Sequence, residues 1–282
     1  MKGLVTVYIP THNRVDLLKR AVESVLNQTY KKIELIVVDD NSTDKTWDYL
    51  KSLQSTDKRV KVFKNSENKG ACFSRNLAIL QSSGYYITGL DDDDYFNKNR
   101  IENFYKNRNK LDNYSFLSSA VNKISLDGKQ LGTGFDDFCI ISNLDLSFGN
   151  KIGNQIFTKK EIYIDAGLFD EELNCWQDYD LWIRITNKFG PSFKLNHADY
   201  YLDVDPNRNR ITTSTKKIES LKYFLKKHEF SLHHIFKARY SAFIYVNGNN
   251  NNIFNKNDFF GKCYFLFFIF LYKVKYACSS RK

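Results

Sequence analysis

Short apolar runs alternate with helical stripes through the first part of the chain. Leu4 to Ile9 is a β-rich apolar run closed by Pro10. From Asp16 the apolar residues fall at Leu17, Leu18, Ala21, Val22, Val25 and Leu26, the spacing of one helix face. "IELIVVDD" (Ile33–Asp40) reads as a strand buried on both faces. Thr43 to Leu53 predicts a helix, Val60 to Phe63 a short strand, Lys69 to Ser82 a helix and Tyr85 to Leu90 a further strand. Strands alternating with helices predict a mostly parallel sheet flanked by helices, an α/β architecture. Ligands bind such sheets beyond the carboxyl ends of the strands. Three polar clusters follow three of these strands: Pro10-Thr11-His12-Asn13, Asp39-Asp40-Asn41-Ser42 and Asp91 to Asp94. They should converge on one edge.

Beyond Arg100 the pattern changes. A helix over Arg100–Leu111 leads into two strands joined by a turn at Asp127-Gly128. Gln177 to Gly190 has helical spacing and ends at Gly190-Pro191. From about Asn207 the chain turns basic and aromatic, with a basic helix expected at Lys216–Lys227 and a low-complexity loop at "NGNNNNIFNKND". The expected division is a first domain over 1–205, in halves of about 1–97 and about 98–205. A helical, aromatic-rich C-terminal extension over 206–282 follows.

The formal net charge of +10 favours anionic partners, from nucleic acid to anionic lipid and phosphorylated small molecules. No helix-turn-helix, RNP-like or zinc-finger pattern accompanies it, so nucleic acid is not expected as a partner. Cysteines at 72, 139, 175, 263 and 278 form no CxxC pair, which predicts reduced thiols rather than a zinc site or disulfide framework. No signal-peptide pattern precedes the first strand. No stretch reaches the roughly 18–20 apolar residues that span a bilayer.

The chemistry begins with "GLDDDDYF". Four adjacent carboxylates repel, and a divalent cation with hard oxygen preference, Mn²⁺ or Mg²⁺, would relieve them and carry a diphosphate. The competing reading is an acidic solvated loop. Asp40 at the end of "VVDD" could accept hydrogen bonds from a base or a ribose, while Ser42 or Thr43 caps the helix after it. Arg75 in "NKGACFSRN" is either a surface cation or a partner for carbonyl and phosphate oxygens. Asp178 and Asp180 in "WQDYDLWIR" lie at a helix N-terminus, where the dipole favours acids. One of them could be a general base for an acceptor hydroxyl. Trp176 and Trp182 would stack on a sugar or fill core.

"VYIPTHNR", "QTYKKIELIVVDDNSTD", "NKGACFSRN", "GLDDDDYF", "AGLFDEEL" and "QDYDLWIR" occur in that order, and together they resemble the family 2 glycosyltransferases with the GT-A fold over about residues 3–190. The resemblance implies an inverting, metal-dependent transfer from a nucleotide-diphosphate sugar. By it, Pro10, Thr11 and Asn13 would line the nucleotide pocket, and Asp40 would contact the base. Arg75 would lie beside the base or phosphates. Asp91 to Asp93 match the DXD segment, with Asp93 the chief metal ligand and Asp92 near the ribose, and Asp178 matches the catalytic base. His12 stands where Tyr is usual, Gln177 replaces Glu, and Lys98 sits where Pro often follows the DXD. A third metal ligand would be Asp203 or Asp205.

The expected partners are a nucleotide-sugar donor, a UDP-sugar first, and a glycan or lipid-linked glycan acceptor of bacterial O-antigen, capsule or lipooligosaccharide synthesis. The alternatives are a nucleotidyltransferase, which would want a glycine-rich basic loop after the first strand, and a non-catalytic nucleotide-sugar-binding module. Tyr264 to Tyr272, "YFLFFIFLY", is flanked by Lys262, Lys273 and Lys275. It is too short to span a bilayer and suited to lying in an interface. A cytoplasmic protein held peripherally on the inner face of the membrane is the expectation.

Overall fold

The computed structural model describes residues 3–125, 130–134, 139–204, 216–246 and 263–271. The chain divides into two compact units. The first comprises Met1–Ser142, Ile152–Glu171 and Gln177–Asn209, and the second Asn143–Lys151, Glu172–Trp176 and Arg210–Lys282. Two short stretches, 143–151 and 172–176, thus belong with the C-terminal region.

The first unit is built on β1 (Val5–Thr11), α1 (Val15–Leu26), β2 (Ile33–Asp39), α2 (Thr46–Thr56), β3 (Val60–Lys64), α3 (Gly70–Gln81) and β4 (Tyr86–Gly89). β1 pairs in parallel with β2 on one side and β4 on the other, and β2 with β3. Every residue of β1 and β2 is buried, which is why their sequences are continuous apolar runs rather than alternating ones. α1 lays Leu18, Ala21, Val22 and Val25 into the core, the stripe its spacing predicts.

β1 does not stop at Pro10 but continues to Thr11. The Tyr8 carbonyl accepts from Leu90 N, so alternate residues of β1 turn their polar groups towards β4. Pro10 therefore faces the side where β4 has already ended, and its missing N–H costs no ladder bond.

The second half of the sheet comes from β5 (Tyr95–Phe96), β6 (Leu117–Ile124), β7 (Gln130–Gly134), β8 (Cys139–Ile141), β9 (Phe157–Lys159) and β10 (Ser192–Asp203). The order is β3-β2-β1-β4-β9-β6-β10-β5, with β7 on β6 and β8 on β10. β9 is antiparallel to both β4 and β6, while β6 and β10 run parallel. The expected turn at Asp127-Gly128 lies outside the described residues, although the strands it would join, β6 and β7, do pair antiparallel.

The helix expected over Arg100–Leu111 is shorter: α4 covers Arg100–Lys106, and a 3₁₀ turn follows at Arg108–Asp112. Short helices α5 (Asn143–Ser147) and α6 (Lys160–Asp165) precede α7 (Gln177–Phe189). In the second unit α8 (Lys216–Lys227) is the basic helix expected from the sequence, followed by α9 (His234–Val246). A further helix covers 263–271. Trp176 packs edge-on against Phe224 and Tyr240 there, so its ring joins an aromatic cluster. Among the described residues no helix is long and apolar enough to cross a membrane.

Candidate active site

The three polar clusters do meet at the carboxyl ends of β1, β2 and β4, and hydrogen bonds lace them together. Asn13, at φ 52°, sits in the left-handed region that Asn tolerates. Its N–H donates to Ser42 Oγ at 2.8 Å, and its Oδ1 accepts from Thr43 N at 2.8 Å. His12 Nδ1 lies 2.8 Å from the Asp40 carbonyl. A carbonyl only accepts, so this ring carries its proton on Nδ1 and leaves Nε2 to accept from Asn13 Nδ2 at 3.1 Å.

Ser42 is thus engaged with the first loop rather than capping a helix. α2 begins only at Thr46, whose N–H is taken by Asp44 Oδ1 at 2.9 Å. Neither Ser42 nor Thr43 is the cap.

Asp40 is 4% exposed and does structural work. Its Oδ1 accepts from Asn65 Nδ2 and Lys69 N, and its Oδ2 from Gly70 N, all at 2.8 Å. A carboxylate at the first N–H groups of α3 satisfies orphan donors and meets the positive end of the helix dipole. This fixes the start of the helix that carries Arg75.

The acidic run is relieved by the protein's own donors. Asp92 accepts from Thr11 Oγ1 at 2.8 Å and from Arg14 Nη1 at 3.0 Å, and the same Arg14 nitrogen lies 3.3 Å from Asp93 Oδ2. Asp94 is buried and accepts from Tyr200 OH at 2.7 Å and Asp203 N at 3.0 Å. Arg20 Nη2 donates to the Asp93 carbonyl at 2.6 Å and to Asp203 Oδ2 at 2.8 Å. Asp203 is therefore paired with Arg20; Asp205 lies outside the described residues.

Burial raises Asp92 to about 6 despite the pull of Arg14, and the neighbouring Asp93 pushes the same way. Asp94 is held well above the ordinary carboxylate range, by burial first and then by Asp93 and Asp91.

Asp91 is a hub. Its Oδ1 accepts from Arg75 Nη2 at 2.8 Å and Gln155 Nε2 at 3.1 Å, and Asn154 Nδ2 stands 3.4 Å from Oδ2. Gln155 in turn accepts from Tyr8 OH at 3.0 Å. Gly89 makes this possible: a Cβ there would stand 2.1 Å from Gln155 Oε1 and 2.4 Å from the Tyr8 ring. Arg14, Arg20, Asn154 and Gln155 were not singled out from the sequence. Arg14 lies within the quoted "VYIPTHNR"; no local pattern marks the others, because their partners lie 63 to 183 residues away.

α7 carries both acids of "WQDYDLWIR", and they differ sharply. Asp180 is fully buried, and its Oδ2 accepts from Arg184 Nε at 2.9 Å and Nη2 at 2.7 Å. Arg184 also donates to the carbonyls of Ala166 and Leu168, so this pair ties α7 to the preceding turn. Asp178 keeps about a fifth of its side-chain surface open (19%), with Arg75 Nη1 3.9 Å away. Burial raises it to about 7, Arg75 opposing the rise and Asp91 adding to it. Trp182 is core: it is fully buried among Phe116, Tyr163 and Phe169, and donates to the Gly153 carbonyl.

Among the described residues no three His, Cys, Asp or Glu side chains stand close enough to cage a metal ion. The donors present are hard carboxylate oxygens, and Asp93 retains 19% side-chain exposure. That set suits Mg²⁺ or Mn²⁺ held by one carboxylate with phosphate oxygens completing the shell.

A mostly parallel sheet whose ligand edge gathers carboxylates from two loops and a helix N-terminus defines a GT-A-type α/β protein. The chain belongs to glycosyl transferase family 2, which it matches over residues 6–156. It is 35% identical over 230 residues to the putative colanic acid biosynthesis glycosyl transferase WcaA of Escherichia coli K12, covering 80% of this chain and 81% of that protein. Over 100 residues it is 44% identical to the Escherichia coli UDP-Glc:alpha-D-GlcNAc-diphosphoundecaprenol beta-1,3-glucosyltransferase WfaP, covering 36% of this chain and 39% of WfaP. Other relatives are longer, and the chain spans about 30% of them. The fold is shared with S. aureus TarS 1-349 in complex with UDP-GlcNAc, at a TM-score of 0.67 and 18% identity over 94% of this chain and 78% of that one.

Proposed function

We propose that this chain is an inverting glycosyltransferase that moves a sugar from a nucleoside-diphosphate sugar, a UDP-sugar first, to a hydroxyl of a glycan or lipid-linked glycan during bacterial surface-polysaccharide assembly. The observation that carries the reading is Asp178. It is partly open, and its carboxyl is held at about 7 at the edge where the acidic run lies. A base with that pKa is half-ionised at neutral pH and strong enough to take a proton from an attacking hydroxyl. Asp180, bonded to Arg184, is committed to structure. Displacement from the side opposite the diphosphate in one step inverts the anomeric carbon.

Pro10, Thr11, Asn13 and Asp92 would line the nucleotide pocket, with Asp40 at its base-binding end, and Asp91 and Arg75 would form its floor. Asp93 would hold Mn²⁺ or Mg²⁺, which supplies positive charge for the departing diphosphate when bound. The names of WcaA and WfaP support a surface-glycan acceptor and, for WfaP, a UDP donor on a lipid-linked acceptor.

Donor hydrolysis and transfer, scanned over a panel of nucleotide sugars with Mn²⁺ and with EDTA, test the reading. Turnover of one donor class, lost in chelator and in Asp93→Ala, is expected; full activity in chelator would sink the metal assignment. The helix at 263–271 exposes Leu266, Phe267 and Phe270 by more than half, and lysines flank it in the sequence. An acidic bilayer surface matches both features. Removing residues 259–282 should abolish co-flotation with anionic vesicles and spare donor hydrolysis; a dimer lost on truncation, with flotation unchanged, would assign the face to a second copy instead.

A further inference from the structure

Arg75 stands between two carboxylates, and the geometry of the pair is unequal. Nη2 is bonded to Asp91 Oδ1 at 2.8 Å, whereas Nη1 is 3.9 Å from Asp178 Oδ1. Both Nη1 and Asp178 Oδ1 are buried without a hydrogen-bond partner. Buried polar atoms are normally satisfied, so two opposed ones of opposite charge, left about 1 Å beyond bonding distance, need a reason.

Arg75 cannot easily close the gap. Its guanidinium lies over the Phe169 ring at 5.3 Å. Asp91 is itself held by Gln155 and faced by Asn154, with Tyr8 behind Gln155. The anchor is fixed on the donor side, and the free edge of the guanidinium points at the base.

We infer that Arg75 is a positioning residue for the general base: anchored on Asp91, it holds the Asp178 carboxylate ionised and turned to the acceptor hydroxyl, across a gap that leaves the carboxylate's lone pair free to take a proton. This rests on the reading of Asp178 as the base. The other groups facing Asp178 do not do this job. Asp91, following β4, repels it. Tyr8 on β1, Tyr163 on α6 and Cys72 on α3 are kept neutral near pH 7, because burial raises each of them. Arg75 is the cation in the set, and burial cannot discharge it because Asp178 and Asp91 hold its proton more firmly.

The experiment compares pH profiles of kcat/KM and donor KM for the full chain and for Arg75→Met, Arg75→Lys and Asp178→Asn. In Arg75→Met the acidic limb should move up by about one pH unit or more, with rate regained at high pH. Arg75→Lys keeps a charge on Asp91 but, as a single point charge, cannot serve both carboxylates, so its limb should fall between the two. Arg75→Lys carries the test alone if the methionine variant does not fold. A raised donor KM with the limb unmoved would make Arg75 a donor contact only and overturn the inference. An Asp178→Asn protein that turns over at the native rate removes the base reading itself. That outcome is distinct from an inactive Asp178→Asn beside an unmoved Arg75→Lys limb, which removes only the role of Arg75.

Discussion

Replacing Arg100 by Met should destabilise the first unit strongly, and the loss can be worked from its surroundings. Arg100 is 1% exposed, with Nη1 2.5 Å from Asp199 Oδ1 and 2.6 Å from Ser119 Oγ. Its guanidinium also lies 4.7–5.0 Å from the ring centres of Phe104, Phe96 and Tyr200. Methionine fills much of the space of the stem but leaves Asp199, 3% exposed, as a buried carboxylate that, among the described residues, keeps the Ser119 hydroxyl and Asn103 at 3.3 Å as its side-chain partners. Breaking a buried pair in this way costs about 3–5 kcal/mol. With a urea slope of about 3 kcal/mol per M for a chain of this size, the midpoint should fall by about 1–1.7 M. The double variant Arg100→Met/Asp199→Asn removes the stranded charge and keeps an acceptor for Ser119, so it should stand within about 1–2 kcal/mol of the native chain. Urea unfolding followed by circular dichroism reads both. The reasoning is refuted if the single variant loses less than about 1 kcal/mol, or if the double variant is no more stable than the single.

Three further outcomes are expected. The kcat/KM of the native chain should rise through pH about 7, because Asp178 must be ionised to accept a proton and burial holds it at about 7; about a tenth of the plateau should remain one unit lower, and a flat profile from pH 5 to 8 contradicts the assignment. Asp178→Asn should lower turnover by roughly 10²–10⁴-fold with the urea midpoint unchanged, whereas Asp180→Asn should lower the midpoint by weakening the bond to Arg184 and leave turnover per folded molecule near native. Gly89→Ala should cost about 3 kcal/mol or more, because its Cβ meets the buried Tyr8 ring and a Gln155 amide held in place by its bonds to Tyr8 and Asp91; a native melting temperature would show that the Gln155 contact can yield.

The parallel half of the sheet is legible because burial on both faces leaves an uninterrupted apolar run, as in Ile33 to Val38, and because each strand ends in a polar cluster. β10 is not legible. Its pairing with β6 shifts register between Leu195 and Ala198 and again before Tyr200, so no single period of two runs through Ser192–Asp203. β5 and β9 are two and three residues long, too short for any period to appear. In the site, the acids stand out because four adjacent carboxylates are conspicuous, but what they bond to is set by the fold. Arg14 reaches Asp92 across 78 residues and Arg20 reaches Asp203 across 183. Asp178 and Asp180 are equivalent as letters two apart, and only the placement of Arg184 and Arg75 separates them.

The partners of the acidic run also have an order in time. Arg14, Arg20 and Arg75 all precede Asp91 in the chain, whereas Tyr200 and Asp203, which complete the shell of Asp94, follow it by 106 and 109 residues. At roughly 5–20 residues per second of synthesis, the four carboxylates wait about 5–20 seconds for those last donors. A ribosome that pauses between Asp94 and Tyr200 therefore holds a chain that already carries Arg14 and Arg75, the arginine partners of Asp91, Asp92 and Asp93, but lacks the donors of Asp94.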